Sequence, residues 1–159
     1  MDAVLINLFI DAAINVLETL GGGEIKVQKP YLKKRPYAKG DISSVIEMSG
    51  ETNGTFSISF SEKSILSIVS IMFGEEMKEL NDDIKDAVGE IANMISGQVT
   101  QKWITVGKSL KADLSTVVMG QNHKISDKPN HKIVVIPLDT NKGEIINKGE
   151  ITIEVCFEQ

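Results

Sequence analysis

Apolar residues recur along parts of the chain at steps of three and four residues, and this period predicts amphipathic helices. Such a stripe from Val4 to Leu20 predicts a first helix that ends at the three glycines 21–23, because glycine accepts the left-handed cap conformation. Ser61 is the predicted N-cap of a second helix, which ends at Gly74. A third helix is predicted to be longer and to run from about residue 81 to about residue 106.

Strands are predicted where apolar and polar residues alternate or where Ile and Val dominate. Six segments qualify: 26–34, 41–48, 55–60, 113–119, 131–138 and 150–157. Pro30 lacks a backbone donor, so the first strand is expected to be an edge strand or to be interrupted there. The hairpin-sized groups predict an α/β (α+β) fold, with a mainly antiparallel sheet of about six strands and long helices packed on one face. The length of 159 residues indicates one domain, 1–159.

Composition narrows the function without identifying it. The 42% apolar and 25% charged residues are typical of a globular chain and exclude a disordered or fibrous one. The single cysteine, Cys156, allows no intrachain disulfide and no cysteine zinc cluster, and is expected to be a small buried hydrophobe. The two histidines, His123 and His131, lie in and directly after a predicted turn, and such lone histidines are expected at the surface. No metal-ligand set is visible.

The charge distribution argues against nucleic acid as a partner. The net charge is −5, whereas a phosphate-binding surface normally has a basic surplus. The basic run Lys33, Lys34, Arg35 is expected to be a solvated strand end or turn, with a phosphate site as the alternative. No segment reaches the ~18 apolar residues of a membrane span, and the N-terminus has no basic region typical of a signal peptide. The expected location is the cytoplasm.

The third helix carries two stripes on a helical wheel of about 100° per residue. The apolar one spans about 80° and is predicted to be buried; it contains Ile84, Val88, Ile91, Ile95 and Val99. On the opposite side, within about 60°, lie Asp86, Glu90, Asn93 and Gly97.

The polar stripe has two interpretations. Acids and amides on an outer helix side are normally just solvated. However, Asn93 is a poor helix residue, and Gly97 in a helix interior costs about 1 kcal/mol relative to alanine. A surface glycine lets another molecule's backbone come close, although helix packing inside the same fold would explain Gly97 equally well.

The segment from Asp86 to Asn93 resembles the Asp/Ser-x-x-x-Glu-x-x-Asn signature of the CheC/CheX/FliY family of chemotaxis phosphatases. Its Gly-Glu-Ile-Ala-Asn-Met sequence is most similar to the CheX members. The strand 54–60, the helix end 71–74 and the segment 133–137 are similar to the same members, so the resemblance covers nearly the whole chain in order.

Two positions qualify the resemblance. The family signature ends in a proline about 22 residues after the asparagine, where this chain has Ser115. The CheC members carry a second Glu-x-x-Asn on the first helix, but here Asn15 is preceded by Ala12. The first helix therefore offers no second site, which favours the CheX members.

The resemblance implies a phosphatase whose substrate is a CheY-type response regulator phosphorylated on aspartate. It implies that Asn93 orients the attacking water and that Glu90 pairs with the regulator's active-site lysine, while Asp86 flanks the contact and Gly97 allows it. The regulator brings its own Mg²⁺, so no metal or cofactor is expected in this chain. A homodimer in which sheet strands meet across the interface is implied as well.

Two alternatives stay open at this point. The missing proline favours a non-catalytic module that binds a regulator without hydrolysis. A component of the flagellar switch, like the FliY relatives, would be expected to carry an extra domain or binding peptide, for which 159 residues leave no room.

Overall fold

The computed structural model describes residues 3–21, 23–34, 36–120, 123–125, 132–142 and 145–157, with the backbone alone for 141, 142 and 145–150. Its helices are α1 (Ala3–Thr19), α2 (Glu62–Phe73) and α3 (Asp82–Thr105). Its strands are β1 (Glu24–Val27), β2 (Tyr31–Leu32), β3 (Ile42–Gly50), β4 (Gly54–Phe60), β5 (Leu110–Met119), β6 (Val134–Lys142) and β7 (Ile145–Phe157). Within the described residues, no helix is both long and apolar enough to cross a membrane.

The strands form one antiparallel sheet in the order β1-β6-β7-β4-β3-β5, and β2 pairs with β6 beyond the end of β1. The predicted fold class is confirmed, with seven strands instead of about six. The additional strand arises at Pro30, which separates β1 from β2 within the predicted strand 26–34. A proline has no N–H to give to a sheet ladder, and the strand is interrupted at residues 28–30, between the end of β1 at Val27 and the start of β2 at Tyr31.

The hairpin of β6 and β7 is longer than the sequence predicts. The sequence predicts no strand between residues 138 and 150, where most side chains are polar, yet Thr140 pairs with Asn147 and Lys142 with Ile145. Sheet pairing uses the backbone N–H and C=O groups, which polar residues supply as well as apolar ones. Alternation of side chains therefore predicts where a strand is buried, and it misses the part of a hairpin that extends beyond the core.

The hydrophobic core lies between the helices and one face of the sheet. Along β7, the alternate residues Ile151, Ile153 and Val155 belong to this core and are fully buried. The rings of Phe9 on α1 and Phe56 on β4 stack with their centroids 4.5 Å apart. Through this packing the helices lie against the sheet, and their outer sides face solvent.

Part of the second face of the sheet is buried too, and many of the buried side chains there are polar. Ser43 bonds both to Ser59, with 2.5 Å between the hydroxyl oxygens, and to Nε2 of His123, at 2.6 Å. Nδ1 of His123 lies 2.7 Å from the carbonyl oxygen of Gly120. The expectation of a surface histidine is wrong for His123, which is 8% exposed, because residues 36–38 and 123–125 fold over this face. His131 lies outside the described residues.

The basic run is only partly solvated. The Lys33 ammonium lies 2.6 Å from Oε1 of Glu154, and both side chains are nearly buried on the second face. Lys34 is exposed, as expected, and Arg35 lies outside the described residues. Cys156 is buried beside them, which confirms its predicted place in a strand. The sequence carries no signal that Glu154, three residues before the end of β7, would pair with Lys33, because the two residues are distant along the chain.

Candidate functional site

Helix α3 is held at both ends. At its start, the Asn81 side chain accepts a hydrogen bond from the backbone N–H of Ile84, at 3.1 Å, and two acids occupy the first turn, where the helix dipole favours them. At its end, Trp103 is 1% exposed, and the Lys108 ammonium lies 4.7 Å from the centroid of its ring. Because both ends of α3 are held by these contacts, the residues on its surface have a fixed support.

The two predicted stripes of α3 lie on opposite sides. The inner side packs on the sheet and on α1, and the five predicted core residues are all 0% exposed: Ile84, Val88, Ile91, Ile95 and Val99. The outer stripe, defined as Asp86, Glu90, Asn93 and Gly97, is exposed throughout. The structure therefore brings all four predicted site residues together on one solvent-facing surface.

The polar side chains of the outer stripe have no partner among the described residues. Neither carboxylate, Asp86 nor Glu90, makes an ion pair or hydrogen bond there. The Asn93 side chain is also unpaired among the described residues, and the Ser96 hydroxyl donates to the Asn93 backbone carbonyl, at 3.2 Å. Like charges four residues apart on a helix cost about 0.2–0.5 kcal/mol. The stripe thus presents a negative surface with one free amide, which can attract a cation and can both donate and accept hydrogen bonds.

Gly97 faces open space. A Cβ built on it meets no atom of the described residues within 4 Å. Packing inside the fold, one of the two explanations of this glycine, is therefore excluded for the described part of the chain. The open space is compatible with the other explanation, a surface that another molecule can approach closely, which stays a prediction.

A second glycine of α3 lies on the flank of the helix between the two stripes, where the helix meets β5. Gly89 is buried, and a Cβ built on it would lie 3.2 Å from Cδ2 of Leu114 and 3.7 Å from Cγ2 of Val117, both on β5. Gly89 is not among the site residues predicted from the sequence. The sequence nevertheless gives an indication, because a glycine in a helix interior costs about 1 kcal/mol relative to alanine whichever way it faces.

A β-bulge in β5 brings both of these side chains under α3. Ile46 of β3 pairs with Leu114 and the preceding Val45 pairs with Thr116, so Ser115 is left without a partner in the ladder. In a regular strand Leu114 and Val117 would point to opposite faces, because side chains alternate. The extra residue restores Val117 to the helix side.

Helix α1 contacts the site helix but has no equivalent of the outer stripe. Asn15 is exposed, and its amide donates to Oε1 of Gln98 on α3, at 3.1 Å. Ala12, three residues earlier, is 0% exposed and belongs to the core. An acid at that position would be buried, so the structure agrees with the sequence in giving α1 no second Glu-x-x-Asn.

A groove in the described part of the molecule lies away from the outer stripe. It has a volume of about 980 Å³ and is lined on the second face of the sheet by residues that include Tyr31, Lys34, Tyr37, Lys39 and Thr152. No residue of the outer stripe lines it. The described residues also contain no group of three or more His, Cys, Asp or Glu side chains placed to hold a metal ion.

The family model for the chemotaxis phosphatase CheX matches residues 42–139, which include the outer stripe, Gly89 and the bulge. The CheY-P phosphatase CheX of Thermotoga maritima is 31% identical over 126 residues, which cover 79% of this chain and 81% of that protein. The chain belongs to the CheX family.

Solved structures agree with the CheX fold. A CheC-like superfamily protein from Shewanella sp. PV-4 is 37% identical, with a TM-score of 0.84 and full coverage of both chains. A CheX–CheY–BeF₃–Mg²⁺ complex from Borrelia burgdorferi contains a similar chain, with a TM-score of 0.76 and coverage of 97% of each chain. At 24% identity, the second likeness shows the fold alone.

The position at which the resemblance implies a proline, about Ser115, lies at the bulge. Ser115 is the residue without a ladder partner, and β5 is an edge strand among the described strands. Bulges and edge strands are the places where a sheet tolerates proline.

Proposed function

We propose that this chain is a phosphatase that hydrolyses the phospho-aspartate of a CheY-type response regulator. Asn93 orients the attacking water, and Glu90 pairs with the lysine of the regulator's active site. Asp86 flanks this contact, and Gly97 lets the regulator's backbone approach. The observation that supports this most is the free Glu90 and Asn93 pair on a firmly held helix of a CheX-family chain.

The reaction asks little of the phosphatase itself. The water oxygen attacks phosphorus, the bond between phosphorus and the aspartate oxygen breaks, and the products are a free carboxylate and inorganic phosphate. Positioning of the water and stabilisation of the developing charge supply nearly all the catalysis in phosphoryl transfer. An amide can orient a water in both directions, because it carries donors and an acceptor and does not titrate.

The outer stripe suits insertion into a partner's active site. It is exposed and offers two carboxylates and an amide, groups that can pair with a cation and orient a water, so a second molecule must supply the phosphoryl group. Its carboxylates match a cationic lysine in charge. The Borrelia complex contains CheY, Mg²⁺ and BeF₃, a tetrahedral mimic of a phosphoryl group, which supports a regulator that brings the metal.

The test is phosphate release from a CheY-type regulator that has been phosphorylated with a small phosphodonor. We expect the chain to accelerate release at least about tenfold over the regulator alone, and EDTA to abolish this by removing the regulator's Mg²⁺. Binding without release would refute the phosphatase and support the non-catalytic module. A chain that neither binds nor accelerates release would refute both.

We also propose that the chain forms a homodimer through a sheet edge. Strand β5 has ten residues and pairs only with β3 among the described strands, so one of its edges is open to pairing with another copy. Light scattering after size-exclusion chromatography should give twice the mass of one chain. A single-chain mass at micromolar concentration would contradict the dimer.

A further inference from the structure

We infer that Gly89 is a positioning residue for the outer stripe: with the β5 bulge at Ser115, it determines how closely the middle of α3 lies against the sheet and hence where Glu90 and Asn93 stand. This inference rests on the proposed function for its consequence in catalysis. Its structural part rests on the packing of α3 alone.

The contact leaves no spare room. A Cβ at Gly89 would lie 3.2 Å from Cδ2 of Leu114, closer than carbon atoms pack at their optimal separation of about 3.5–4.0 Å. The nearest atoms of β5 include Val117 as well, at 3.7 Å. A methyl group at this position must therefore push the helix and the strand apart by a few tenths of an ångström or force Leu114 into another rotamer.

Displacement here cannot spread along the whole helix. Asn81 and Ile84 hold the start of α3, and Trp103 is buried near its end. A push at Gly89 would thus bow the middle of α3 outward, at the residue next to Glu90 and one turn before Asn93. Displacement of a catalytic group by about 1 Å can cost about 100-fold in rate, so a few tenths of an ångström should cost several-fold.

The bulge explains why two side chains of β5 face α3 beside Gly89. Only because Ser115 is skipped in the ladder do Leu114 and Val117 both face α3. The close approach needs both halves, a helix residue without a side chain and a strand that turns two side chains toward it. This pairing gives the bulge a role in the site although none of its residues belongs to the outer stripe.

The experiment compares Gly89→Ala with the double variant Gly89→Ala/Leu114→Val, which removes the atoms that the new methyl would meet. We expect Gly89→Ala to lower kcat by about three- to tenfold at a temperature well below its melting point. The double variant should recover most of this loss, and Leu114→Val alone should resemble the parent. Since alanine is the better helix former, a general loss of folding is not expected to accompany the effect.

A second readout does not depend on activity. The NMR signals of the Asn93 side-chain amide and of the backbone around Glu90 should shift in Gly89→Ala and return toward the parent positions in the double variant. Unmoved signals, or a kcat loss that Leu114→Val fails to rescue, would overturn the inference. A parent chain that releases no phosphate would refute the proposed function, and the NMR comparison would still decide the role of Gly89.

Discussion

On the inner side of α3, Ile84, Val88 and Ile91 are fully buried, whereas on the outer side Asp86, Glu90 and Asn93 are exposed and have no partner among the described residues. The inner residues remove apolar surface from water and so stabilise the fold. The outer ones add nothing to stability, and Asn93 and Gly97 reduce the helix propensity. Substitutions on the two sides should therefore have separable effects on folding and on activity.

A second helix shows that exposure alone does not mark a site. Asn15 on α1 is exposed like Asn93, but its amide already donates to Gln98. Among the described residues, the amide donors and the oxygen of the Asn93 side chain have no partner, so they are open to another molecule. What distinguishes the site helix is therefore unused hydrogen-bonding capacity on a rigid support, since a partner gains most where groups need no rearrangement.

The largest effect is expected on the inner side. Ile91→Ala should lower the free energy of unfolding by about 2–5 kcal/mol, because Ile91 is 0% exposed and its loss leaves a cavity against the sheet. Urea denaturation measures this. Ile91→Val, the matched control, should cost only about 0.5–1.5 kcal/mol. An alanine variant as stable as the parent would mean that the inner side does not hold the helix.

In contrast to Ile91→Ala, which lowers stability, Asn93→Ala should lower activity without lowering stability. Loss of the water-orienting amide should reduce phosphate release by about two powers of ten, or about 2.7 kcal/mol, while stability stays the same or rises slightly because alanine is the better helix former. Phosphate release and melting should be measured on one sample. Lys85→Ala, on the same helix outside the outer stripe, is the control. Parent-like activity in Asn93→Ala would exclude the proposed role.

Both sides of α3 could be predicted from sequence, and for the same reason. A helix has a fixed angle per residue, so spacing alone separates Ile91 from Asn93 by about 160°. The N-cap at Asn81 and the end near Gly107 are local signals as well, and the structure has them. The chemical role of the outer stripe came from the resemblance, since exposed polar residues by themselves are typical of any solvated helix.

What the sequence did not reveal depends on contacts between distant segments. The bulge at Ser115 follows no alternation rule, and Gly89 gains its meaning only from the strand beneath it. His123 is buried because the loops at residues 36–38 and 123–125 fold over the second face, where His123 and Ser43 form a hydrogen bond. Local pattern carries no information about which loop will cover which strand, so these features needed the folded structure.

Glu90 gives a smaller effect than Asn93, because an anchor acts on engagement of the partner. Glu90→Gln keeps the shape and removes the charge, and we expect the regulator concentration for half-maximal release to rise about tenfold, or about 1.4 kcal/mol. Glu90→Lys should be worse, since it places a cation against the regulator's lysine. Glu47→Lys changes the net charge equally on an exposed residue of β3 and should match the parent. An unchanged concentration dependence in Glu90→Lys would contradict the anchor.

Substitution of Gly97 should give the smallest effect on activity, and it should separate the effect on activity from the effect on stability most clearly. Nothing in the described structure lies within 4 Å of its would-be Cβ, so Gly97→Gln should raise the melting midpoint through the gain in helix propensity, worth somewhat less than about 1 kcal/mol. If a regulator lies flat against the outer stripe, the long side chain should hold its backbone away and lower release several-fold, with the loss seen mainly as a higher half-saturating concentration. Gly97→Ala should give a similar gain in stability with a smaller loss of activity, because a single methyl group protrudes less. Release equal to the parent in Gly97→Gln would reduce the docking surface to Glu90 and Asn93 and their immediate flank.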